Sequence, residues 1–168
     1  MILHIITGAP GAGKTTTLEA FLLLKTDYMA FDIDWLIYSA SDLAQRDIFT
    51  DGSTWPAYGK IWFDVLHSAV RNGRPPIFFT PNTPEDLEPL GMPDWCSEMR
   101  WILLDCPDAV RRQRLKQRDG WDEARIQEAL EDAKELREII PTRLDTSTGT
   151  AGEISRMLLD WLCQIEAH

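Results

Sequence analysis

The sequence lacks any apolar run long enough to span a bilayer; its longest, such as Phe21 to Leu24 and Trp101 to Leu104, fall far short, so no membrane partner is expected. It also lacks a cysteine framework. Cys96, Cys106 and Cys163 cannot close into pairs, and no two of them have metal-finger spacing. No basic segment or small-residue cleavage site precedes the first apolar stretch, so no secretory signal is expected and a reducing, cytoplasmic setting is the natural expectation. Positive charge is scarce, with 17 Lys+Arg against 27 Asp+Glu and a net charge of −10. Bulk nucleic acid is disfavoured as a partner, because such binding is driven by neutralising phosphates.

What is present is a chain of 168 residues, 44% hydrophobic and 26% charged, which is the composition of one globular domain over residues 1–168. The little basic charge is concentrated. Arg111, Arg112, Arg114, Lys116 and Arg118 place +5 within eight residues, which suits a small anionic ligand better than a polymer.

Short apolar strands are expected at 2–7, 28–31, 77–80, 100–105 and 143–145, bounded by glycine, proline or acidic residues. Between them, apolar residues recur at helical spacing, notably Ile61, Trp62, Val65, Leu66, Ala69 and Val70, then Ile126, Ala129, Leu130, Ala133 and Leu136. A last helix is expected to begin after Thr150, which forms a capping box with Glu153 in sequence. Residues 35–55 read as irregular. Strands alternating with helices indicate an α/β fold with a largely parallel sheet and helices on both faces.

Gly8-Ala9-Pro10-Gly11-Ala12-Gly13-Lys14-Thr15 matches G-x-x-x-x-G-K-[ST] at every specified position, between a strand and a helix. Glycines let successive backbone N–H groups turn towards one anion, and the helix N-terminus adds partial positive charge. Lys14 would meet the β- and γ-phosphates, the Thr15 hydroxyl would ligate Mg²⁺, and Gly8, Gly11, Ala12, Gly13 and Thr16 complete the nucleotide-binding set.

Asp32 and Asp34 follow the second strand, two residues apart, so in extended chain both carboxylates point the same way. They are candidates for the chemistry; alternatively one of them caps the following helix. Arg114 and Arg118 are spaced i, i+4 along one helix face, with Arg111 sharing it, and arginine forks stabilise a transferring phosphoryl group. A solvated basic face is the plainer alternative. Residues 35–73 are the expected acceptor-binding region, in which Arg46 and Trp62 join Asp34 as candidate substrate contacts, although a buried aromatic is more often core. Acids outnumber bases there, which favours a neutral or cationic hydroxyl compound over a monophosphate.

With the loop at 8–15, Phe31-Asp32-Ile33-Asp34, Arg114-Leu115-Lys116-Gln117-Arg118 and Asp145-Thr146-Ser147 in this order, the chain resembles the small P-loop kinases of the nucleoside-monophosphate-kinase-like superfamily, which include shikimate, gluconate and nucleoside kinases and antibiotic phosphotransferases. The resemblance implies a three-layer fold with a five-stranded parallel sheet of order 2-3-1-4-5 and a short lid, placed here at 119–125. It implies transfer of the ATP γ-phosphate to a small-molecule hydroxyl with Mg²⁺, by a monomer or homodimer. It casts Asp32 as base or water-mediated metal contact, Asp34 as a holder of the acceptor, one arginine of the Arg114/Arg118 pair over the nucleotide and the other in the lid. The loop at 145–147 would border the adenine. A nucleoside monophosphate kinase, or a nucleotide-binding ATPase or switch without transfer, is the alternative.

Overall fold

A computed structural model describes residues 1–166; the last two positions of the expected domain lie outside them. Its strands are β1 (Ile2–Thr7), β2 (Met29–Asp32), β3 (Pro76–Phe79), β4 (Glu98–Asp105) and β5 (Arg143–Asp145). They form a parallel sheet of order β2-β3-β1-β4-β5, the order that the resemblance implies. Phe31 pairs with Phe78 where β2 runs beside β3, and Leu104 with Leu144 where β4 runs beside β5. The helices are α1 (Lys14–Phe21), α2 (Ile37–Ala44), α3 (Trp55–Arg71), α4 (Pro84–Leu87), α5 (Asp108–Lys116), α6 (Glu123–Ile139) and α7 (Ala151–Glu166). No helix among the described residues is long and apolar enough to cross a membrane.

The chain divides into two compact units. The first comprises Met1–Ile5 and Asp27–Arg100. Its core is aromatic: Tyr58, Trp62 and Phe63 of α3 are buried, as are Ile77, Phe78 and Phe79 of β3, and the Trp62 and Phe78 rings lie 5.3 Å apart. Residues 35–55, expected to be irregular, take in the end of a 3-10 turn (Ile33–Leu36), then α2, and a second 3-10 turn at Gly52–Thr54. Helical periodicity is hard to read there because α2 leaves Tyr38 and Leu43 in solvent and buries only Ile37. α4 was not legible from apolar spacing either. It is a single turn whose start is fixed by a capping box between Thr83 and Asp86.

The second unit comprises Ile6–Thr26 and the chain from Trp101 onward. There α1 packs on α7, and α5 on α6. Leu115 of α5 meets Ile126 and Ala129 of α6, while Ala133, Leu136 and Ile140 pack with Leu103 and Ala9. The expected box at the start of α7 is present: Glu153 Oε2 accepts from the Thr150 N–H and hydroxyl, both at 2.8 Å.

Candidate active site

The loop between β1 and α1 lies in the second unit, and its shape follows from its glycines. Gly11 (φ 79°) and Gly13 (φ 93°) occupy the left-handed region, which a side chain would strain. Gly8 is required for a different reason: a Cβ there would come within 2.5 Å of the Leu104 carbonyl oxygen. Lys14 opens α1 and donates from Nζ to the Gly8 carbonyl. The Thr15 and Thr16 side chains are exposed beside it.

Side chains from α5 and from the end of β5 occupy the loop's carbonyl oxygens. Arg111 donates to Pro10 O (2.6 Å) and Ala9 O (3.2 Å), and Arg114 donates to Gly11 O (3.2 Å). The Thr146 hydroxyl donates to Ala12 O at 2.6 Å and accepts from Arg114 at 2.9 Å. In a planar trans peptide, C=O and N–H point oppositely. Anchoring Pro10 O and Ala12 O on one side therefore turns the Gly11 and Gly13 N–H groups to the other, which is the arrangement an anion requires.

Beside the loop opens a cavity of about 430 Å³, lined among others by Gly11, Gly13, Thr16, Arg114, Gln117, Arg118 and Thr146. Arg114 and Arg118 thus share a cavity, but not a helix face. Helix α5 ends at Lys116, so Arg118 lies beyond its cap, which corrects the i, i+4 expectation. Arg111 does not share a ligand-facing surface with them, because it is fully buried. The expected lid, 119–125, is a turn with Gly120 at φ 76° that runs into the first turn of α6 at Glu123. Arg125 is engaged within it, donating to Gly120 O at 2.7 Å and lying 5.2 Å over the Trp121 ring.

Asp105, the acid ending β4, is tied up structurally. It accepts from Arg111 at 2.6 Å and from Arg137 at 2.6 and 3.1 Å. Burial pushes its carboxyl upward, but the hydrogen bonds from Arg137 and the Cys106 N–H, with the charges of Arg137 and Arg111, hold it below the usual range. The role of Thr146 was the part least visible in sequence. Its hydroxyl links loop and arginine, and only its place directly after a strand end offered a signal.

In the first unit, Asp32 ends β2 half-buried and Asp34 is exposed. They are not consecutive outward positions of an extended strand. Asp32 caps the 3-10 turn, its Oδ1 accepting the Asp34 N–H at 2.9 Å, which is the capping alternative. Trp62 is 1% exposed, so it cannot serve as an open stacking surface. Its indole donates to Ile33 O at 3.0 Å, and the Tyr58 hydroxyl donates to the same oxygen. Together they pin the turn that carries the two acids. Arg46 is exposed and pairs with Asp51 at 3.3 Å, beside an open groove lined by Tyr38, Ser41, Asp42, Gln45 and Asp47.

No family model matches the chain, and no curated protein does. Solved structures do. The tunicamycin resistance protein of Deinococcus radiodurans superposes with a TM-score of 0.69 at 17% identity, over 95% of this chain and 94% of that one. A sugar kinase from Janibacter sp. gives 0.65 at 18% identity, over 96% and 94% of the two chains. A gluconokinase from Sinorhizobium meliloti gives 0.62 at 18% identity, over 96% and 91%. At these identities the likeness is one of architecture: the chain has the fold of the P-loop small-molecule kinases.

Proposed function

We propose that residues 1–168 act as one ATP-dependent kinase that moves a γ-phosphate to a hydroxyl of a small molecule, in the cytoplasm. The observation that carries this reading is the loop at 8–15, whose carbonyls are held by Arg111, Arg114 and Thr146 so that the Gly11 and Gly13 N–H groups turn the other way, beside a cavity of about 430 Å³. The residues fit a polyphosphate with Mg²⁺. A Cβ at Gly13 would stand 3.5 Å from Thr146 Oγ1 and 3.6 Å from Arg114, narrowing the cradle. Among the described residues no cluster of three or more His, Cys, Asp or Glu could hold a metal. Thr15 would supply the loop's ligand to an Mg²⁺ shell completed by phosphate and water. Mg²⁺, when bound, neutralises charge building up on the phosphoryl oxygens.

In this reading Lys14 swings from Gly8 O to the β- and γ-phosphates, and the loop N–H groups hold them in place. Arg118, and Arg114 through its remaining N–H groups, stabilise charge on the transferring group. Asp32 orients the acceptor hydroxyl and takes its proton, while Asp34, and Arg46 from the region 35–73, contact the acceptor. Trp62 acts through the turn it pins. Residues 119–125 close as a lid and exclude water. The kinase names among the structural neighbours support transfer over simple binding.

The acceptor is a neutral or cationic hydroxyl compound, because Asp32, Asp34, Asp42, Asp47, Asp51 and Asp64 outnumber Arg46, Lys60, Arg71 and Arg74 between residues 32 and 74. The test is Mg²⁺-dependent ATP consumption across nucleosides, nucleoside monophosphates, sugars and aminoglycosides, each against a blank without acceptor. Stimulation by a neutral or cationic class supports the proposal. A panel that stays flat while ATP binds favours a nucleotide-binding switch.

A further inference from the structure

Arg111 is the one arginine fully buried among the described residues, and nothing in the proposed chemistry touches it directly. A buried guanidinium is costly unless its charge and its donors are met. Here one terminal nitrogen meets the Asp105 carboxylate at 2.6 Å. The other is given to the phosphate loop, to Pro10 O at 2.6 Å and Ala9 O at 3.2 Å, while Nε has no partner among the described residues. An arginine needed only to dock α5 on β4 would be satisfied by the carboxylate and by helix-side partners. Spending its second nitrogen on two loop carbonyls fixes the direction of the Pro10–Gly11 peptide, and so of the Gly11 N–H.

A second tier fixes Arg111 in turn. Asp105 is gripped by both Nε and Nη2 of Arg137, which also donates to Asp108 at 2.7 Å and to Cys106 O at 3.0 Å. The chain of bonds runs from α6, through the end of β4, to the loop, entirely within the second unit. Arg111 also limits the loop sterically, because a Cβ on Gly11 would lie 3.1 Å from its Cγ.

We propose that Arg111 is a positioning residue for phosphate binding. It holds the loop's carbonyl side so that the anion-facing N–H groups are set before the ligand arrives, and Asp105 and Arg137 hold Arg111. This rests on the reading of residues 8–15 as a polyphosphate site. Preorganised donors gain affinity because nothing has to be reordered at binding. The effect should therefore appear on the anion itself and not only on stability.

The experiment titrates inorganic tripolyphosphate calorimetrically into wild type, Arg111→Lys and Asp105→Asn, at a temperature where circular dichroism shows each protein folded. Lysine keeps the charge but has a single nitrogen in place of the fork that meets the carboxylate on one terminal nitrogen and the loop carbonyls on the other. Arg111→Lys is expected to weaken tripolyphosphate about tenfold, the scale of one charged hydrogen bond. Asp105→Asn, which leaves Arg111 in place but loosens it, should weaken it by a smaller factor. Folded variants that bind tripolyphosphate as wild type does would overturn the proposal. So would two variants that do not fold, since the role would then be structural. Should Arg111→Lys alone fail to fold, Asp105→Asn decides by the same comparison. A wild type that does not bind tripolyphosphate would overturn the polyphosphate reading itself, and that result is distinct from an unaltered variant.

Discussion

Asp32 ends β2 and also caps the turn that follows, so a substitution there must separate chemistry from folding. Asparagine does this, because its side-chain oxygen can still accept the Asp34 N–H while it cannot take a proton. Asp32→Asn is expected to leave the melting temperature and ATP affinity near wild type and to lower turnover about 100-fold or more, the scale of general-base catalysis. Turnover within a few-fold of wild type would remove Asp32 from the base role. A second residue-scale effect concerns His4, buried in β1. Burial, and then the charge of Arg100, lower its pKa to about 4. The folded state therefore keeps His4 neutral where the unfolded chain, at its ordinary value of 6.5, takes up a proton. Stability is full above that value and falls as pH drops towards 4, by roughly 2 kcal/mol between pH 7 and pH 5. Urea denaturation at the two pH values measures it, and His4→Gln should flatten the difference.

Among the elements, the phosphate loop is the most constrained. Gly11→Ala puts a Cβ at φ 79°, 3.1 Å from both Arg111 Cγ and Leu115 Cγ. It should cost about 1–2 kcal/mol, read as a lowered melting temperature, and weaken nucleotide binding as well. Much of this element was legible beforehand, because glycine and lysine spacing encodes a backbone shape directly. The strands were legible too: β1 and β5 fall where the apolar runs place them, and β2, β3 and β4 shift by only one or two residues. The helix α2 was not, because Tyr38, Leu43 and the polar residues between them leave no buried stripe to count. The i, i+4 pairing of Arg114 with Arg118 failed because α5 stops at Lys116, with Gly120 and Asp122 setting up the next helix. Nothing local marks that end four residues earlier. The burial of Arg111 was beyond sequence logic altogether, since its partners Ala9, Pro10 and Asp105 are brought together only by the fold.

For the molecule as a whole, charge and architecture point the same way. A net charge of −10 discourages polymers, while Arg114 and Arg118, the two arginines of 111–118 that line the cavity, suit capture of a small anion. The aromatic first unit, with Trp62 and Tyr58 bonded to Ile33 O, gives a rigid base to the turn bearing Asp32 and Asp34. Such rigidity is what orientation of an acceptor hydroxyl would require. The second unit concentrates the loop, Arg114, Arg118 and the 430 Å³ cavity. The loop is proposed to hold a nucleoside triphosphate through Lys14 and its backbone. Calorimetric titration of Mg·ATP into wild type and Lys14→Ala tests it most directly. Saturable one-to-one binding that weakens about tenfold or more on loss of the lysine charge is the expected result. Unchanged affinity in Lys14→Ala, or no binding by wild type, would contradict it.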